Sequence, residues 1–153
     1  MQNIEEKIES FDVKMIRSMK RWSLPIARLA IFVVYFWFGI LKVLALSPAN
    51  PLVAKLLEHI LPGVPFDTFI VALGVFEMII GITFLIKGFE RLAFFLLILH
   101  LIMVVTPLFA LPIVTWQSFL VPTMEGQYII KNILIIALAM GIVSHLHPLQ
   151  PKE

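Results

Sequence analysis

TFIVALGVFEMIIGITFLI, residues 68–86, is an apolar run long enough to cross a bilayer, with one carboxylate near its middle. That carboxylate is Glu77. An ionisable group at such depth is costly, so it is kept with a partner or for a task. The next apolar run supplies a partner. His100 lies near the middle of residues 92–109, and the short turn 87–91 joins the two runs. Glu77 precedes Phe89 by twelve residues and His100 follows it by eleven. At ~1.5 Å per residue, two antiparallel helices carry both side chains roughly 17 Å from the turn, at nearly one depth.

The rest of the chain fits this reading. Its 153 residues suit one domain. Sixty percent are hydrophobic and 14% charged, too apolar for an ordinary water-soluble domain. There is no cysteine, which excludes disulfides, thiol catalysis, thiolate metal sites and cysteine-bound iron–sulfur clusters. A net charge of +2 is too small to suggest nucleic-acid binding.

Four apolar runs predict four spans, at about 24–46, 68–86, 92–109 and 129–146. The expected fold is all-α, an integral membrane bundle of four transmembrane helices in a lipid bilayer. Lys7, Lys14, Arg17, Lys20 and Arg21 precede the first span, Lys87 and Arg91 occupy the turn, and Lys152 follows the fourth. The opposite loops carry only Lys55, with Lys131 just inside the fourth helix. The positive-inside rule puts both termini and the 87–91 turn in the cytoplasm, with residues 148–153 as a cytoplasmic tail.

Residues 1–22 read as a separate amphipathic element. Ile4, Ile8, Phe11, Met15, Met19 and Trp22 form one helical stripe, with Glu5, Glu6 and Glu9 first and the basic residues last. This order complements the helix dipole and predicts an interfacial helix on the cytoplasmic face. A partner-docking helix is the other reading. Between the first two spans, Asn50 is expected to cap a short amphipathic helix with Pro51 at its first position, and Pro62-Gly63 to stop it. The segment holding Pro112, Trp116, Phe119 and Pro122 reads as a second interfacial stretch.

Polar residues inside the spans define the candidate site. Arg28, Tyr35 and Lys42 are seven apart, so they share a face. Arg28 and Lys42 can also snorkel to the headgroups from their helix ends. Gly74, Glu77 and Gly81 share a face too, and the glycines turn Glu77 toward neighbouring helices. Gln127, Lys131 and Asn132 open the fourth span. Lys131 falls near the depth of Lys42, so the two lysines with Glu77 and His100 can line a pocket for an anionic or quinone-like headgroup. The bland alternatives are packing or snorkelling residues with no chemistry. A bis-histidine haem lacks a second histidine at suitable depth. His145 and His147 read as an exposed helix end rather than a metal site.

These residues also carry a family resemblance. Arg28 with Phe38-Gly39-Ile40-Leu41-Lys42, then Gly74-x-x-Glu77-x-x-x-Gly81, then Gly126-Gln127-Tyr128-x-x-Lys131-Asn132 resemble, in order and spacing, the DoxX and DoxX-like membrane proteins. The likeness covers roughly residues 28–141. Family members often have Asp where this chain has Asn132, which removes a counter-charge for Lys131. The resemblance implies a four-helix protein of a bacterial-type inner membrane. It also implies association with quinone-reactive or oxidative-stress redox complexes, or, in distant relatives, a chaperone role.

Three functions follow as expectations. The first is an auxiliary subunit of a membrane redox system, with quinone as the candidate cofactor and a membrane protein or redox complex as partner. The second is a non-enzymatic chaperone or assembly factor, and the third a small-solute or proton pathway. No complete catalytic set is present, so independent catalysis is not expected. Homo-oligomerisation is compatible with each.

Overall fold

The computed structural model describes residues 2–147; the tail expected at 148–153 lies outside the described residues. Four helices among the described residues are long and apolar enough to cross a membrane. This is compatible with a multi-pass membrane protein. The chain runs α1 (Gln2–Val43), α2 (Asn50–Ile60), α3 (Phe66–Leu85), α4 (Glu90–Val105), α5 (Pro107–Ala110), α6 (Pro112–Thr115), β1 (Trp116–Ser118), β2 (Val121–Pro122) and α7 (Met124–Val143).

Helix α1 is one uninterrupted helix of 42 residues. The amphipathic segment ending at Trp22 therefore continues directly into the first apolar run. Pro25 lies inside it without ending it. Helix α1 ends at Val43, earlier than expected, where Ala45 takes a left-handed φ of 58° and Ser47-Pro48 turn the chain.

Helix α2 forms where its pattern predicts, with Leu57 buried and Lys55, Glu58 and His59 exposed. Its N-cap is Ala49 rather than Asn50, without a side-chain cap bond. Asn50 is instead the first helical residue, and its Oδ1 is buried with no partner among the described residues. Pro51 stands one place deeper than expected, where its missing N–H is still harmless.

Helix α4 stops before Pro107, which has no N–H to continue the ladder. Together α4 and α5 make one apolar stretch from Glu90 to Ala110. The expected interfacial segment is two helical turns and a small antiparallel hairpin, β1 with β2. Its tip exposes Phe119 and Leu120. Helix α7 starts at Met124, not Ile129, because Thr123 caps it, accepting from the Gly126 N–H at 3.2 Å.

The core is built from one face of each long helix: Ala27, Ile31 and Tyr35 from α1, Ile80 and Phe84 from α3, Ala93, Leu97 and Leu101 from α4, and Ala139 and Ile142 from α7. Among the long helices, α1 and α3 come into backbone contact. A methyl group added at Gly39 would come within 2.6 Å of the Gly74 carbonyl oxygen, and one at Gly74 within 2.6 Å of the Gly39 oxygen. Gly81 packs against Phe32 and Tyr35 further along, so the two helices run antiparallel.

Candidate functional site: a buried tyrosine–histidine–glutamate–lysine network

The glycine crossing positions the site. Lys42 follows Gly39 by one helical turn, and Glu77 follows Gly74 by one turn. Side chains on a helix lean toward its N-terminus. In antiparallel helices these two therefore lean toward the crossing and toward each other. The stem of Lys42 lies against Gly74, where a Cβ would be 3.0 Å away. Lys42 Nζ donates to Glu77 Oε2 at 2.6 Å.

The other carboxylate oxygen is taken by the third helix. Glu77 Oε1 and His100 Nε2 are 2.9 Å apart, so the depth match between α3 and α4 is a direct contact. His100 Nδ1 in turn faces the Tyr35 hydroxyl at 3.2 Å, and the two rings meet edge to face. All four residues are buried, none more than 6% exposed.

The contacts are all satisfied by an arrangement with Lys42 charged, Glu77 ionised and His100 neutral, donating from Nε2 to Glu77 and accepting at Nδ1 from the Tyr35 hydroxyl. The cluster then has zero net charge, which suits apolar surroundings. It also contains four groups able to gain or lose a proton, linked in a row.

Arg28 does not join this network. It pairs with Glu90 at 2.5 Å, about four turns back along α1 from Lys42. Glu90 also accepts from the Gly88 N–H at 2.8 Å, which fixes the turn. Arg28 Nη1 is buried with no partner among the described residues. Fourteen residues, or ~21 Å, separate Arg28 from Lys42 along the helix.

Helix α7 contributes none of these groups. Lys131 is exposed, with its ammonium 5.2 Å from the Tyr128 ring centre. Gln127 is exposed, and Asn132 donates to the carbonyls of Tyr128 and Ile129 in its own helix. The expected pocket between Lys42 and Lys131 is therefore replaced by a closed cluster of Tyr35, Lys42, Glu77 and His100. Two open surface grooves, of about 390 and 430 Å³, involve none of its residues. His145 and His147 are exposed beyond the end of α7, and the His147 carbonyl accepts from Arg91.

Two residues escaped the sequence reading. Tyr35 was visible on the Arg28–Lys42 face, but its bond to His100 depends on the rotation of α4. Glu90 had a clearer signal. Arg28 needs a counter-charge, and Glu90 is the only acid in the 87–91 turn.

The chain matches no protein-family model, no curated protein and no solved structure.

Proposed function

We propose that this chain is a DoxX-like multi-pass protein of a bacterial-type inner membrane, with both termini cytoplasmic, and an auxiliary subunit of a quinone-linked or oxidative-stress redox system. The observation that carries this reading is the hydrogen-bonded row Tyr35–His100–Glu77–Lys42. Rows of acid, imidazole and hydroxyl groups in an apolar interior serve as proton relays. Reducing a quinone takes two electrons and two protons. The electrons come from a partner, and this chain's part is to hold and release protons beside the partner's site. The network is closed within the bundle, so the headgroup itself sits at the surface shared with that partner.

The test is quinone reductase activity in membranes of a strain lacking the chain, complemented with the wild type, Glu77→Gln or Tyr35→Phe at equal protein levels. The reading expects a loss of about a hundredfold or more for Glu77→Gln, the scale of a positioned proton-transfer group. Unchanged activity overturns it.

A second reading, a non-enzymatic assembly factor, is favoured by a separate observation. The four groups satisfy one another, as a device for holding helices in register would. A Lys42→Met/Glu77→Gln double variant separates the two. Retained activity of the partner complex favours assembly, and loss with intact assembly favours the relay.

A further inference from the structure

The first half of α1 is a helix with nothing packed on its apolar face among the described residues. Ile4, Ile8, Phe11 and Trp22 are each more than half exposed. A helix of this length is marginal in water unless such a face is covered. Because α1 does not break at Trp22, this segment is an extension of about 30 Å in line with the apolar half. A helix continuous with a span cannot also lie flat along the bilayer surface.

The spacing of the face identifies its cover. Ile4, Ile8, Phe11, Met15, Ser18 and Trp22 are separated by four, three, four, three and four residues. This is the alternation of a two-helix seam, with Ile8, Met15 and Trp22 at a and Ile4, Phe11 and Ser18 at d. The flanks are charged with opposite signs. Lys7, Lys14 and Arg21 occupy every g position on one side. Glu5 and Asp12 occupy e positions on the other, followed by Met19. In a parallel pair each g side chain faces an e side chain of the partner, so Lys7 meets Asp12 of the second helix, twice by symmetry. In an antiparallel pair, g faces g and e faces e, which sets lysine against lysine and acid against acid.

We propose that residues 4–22 form a parallel, two-stranded coiled coil with a second copy of this chain. Parallel pairing is what two copies leaving the same face of one membrane require, so the proposal rests on the multi-pass reading above. The acidic flank also argues against a lipid cover, since a helix lying on anionic headgroups is served by basic residues on both edges. The seam is short and interrupted by Ser18. Confinement of both copies to one membrane raises their effective concentration and compensates for this.

The natural absence of cysteine makes the test direct. Single cysteines at Ile8 or Met15, in the seam, are oxidised in native membranes and compared with cysteines at Glu6 or Lys20, on the opposite face. The proposal expects dimers from Ile8→Cys and Met15→Cys at several-fold higher yield than from Glu6→Cys and Lys20→Cys. Adding Lys7→Glu to Ile8→Cys should lower that yield, and adding Asp12→Lys as well should restore it. Equal yields at all four positions overturn the proposal. So does a monomeric Ile8→Cys protein shielded from aqueous maleimide, which indicates a lipid cover, or cross-linking to a different protein. Carbonate extraction of the same membranes tests the multi-pass reading separately.

Discussion

Gly39 and Gly74 press backbone against backbone, each leaving no room for a methyl group beside the other's carbonyl oxygen. The contact sits one turn from Lys42 on α1 and one turn from Glu77 on α3. The ion pair therefore depends on two residues that carry no charge.

Gly74→Ala should push α1 from α3 and destabilise the bundle by about 1–3 kcal/mol, the usual cost of overpacking. Gly141→Ala is the control. Its Cβ meets nothing within 4 Å, and it lies inside α7. It should stabilise by up to about 1 kcal/mol through helix propensity alone. Thermal unfolding in detergent, followed by the helical signal, reads both.

Lys42→Met removes the cation from a buried carboxylate. Breaking a buried pair in this way costs about 3–5 kcal/mol. The Lys42→Met/Glu77→Gln double variant should recover most of that loss, because no unpaired charge remains. A double-mutant cycle measures the coupling. Additive losses would show that the two side chains do not act as a pair.

Tyr35→Phe leaves His100 Nδ1 as a buried acceptor without its donor. The expected loss is about 1–3 kcal/mol. The nitrogen-15 resonances of His100 provide a second readout. Loss of the Tyr35 hydroxyl should shift Nδ1 more than Nε2, which keeps its contact with Glu77.

Thr123→Ala should cost about 1 kcal/mol by removing the cap of α7. The same hydroxyl donates to the Val114 carbonyl at 2.8 Å, so the change also loosens α6. Amide exchange should rise at Gly126 and its neighbours and stay unchanged in α3.

Most of the fold and half of the site were legible in advance. The Glu77–His100 contact follows from two long apolar runs and a short turn between them, which leaves little freedom of depth. Lys42 was placed on the correct face by its seven-residue spacing from Tyr35. Depth alone misled at Lys131. Two lysines can share a level and still point apart, because the rotation of α7 is set by the packing of its own Ala139 and Ile142 into the core and by its cap at Thr123. Arg28, a candidate for the polar site that could also snorkel from its helix end, is in an ion pair because Glu90 is brought to it by tertiary folding, sixty-two residues on.

The ion pairs at Arg28 and Lys42 grip α1 at two levels, against α4 and against α3. A shift of one residue along the axis would turn the helix by about 100° and move it ~1.5 Å, breaking both at once. The rod can therefore neither slide nor spin freely in its seat. A torque applied to its N-terminal half, at Ile4 or Phe11, meets first Pro25, where the ladder already lacks a hydrogen bond, and then the Arg28–Glu90 clamp, before it reaches the buried carboxylate. Whatever grips that half of α1 is thus felt at Glu90 before it is felt at Glu77.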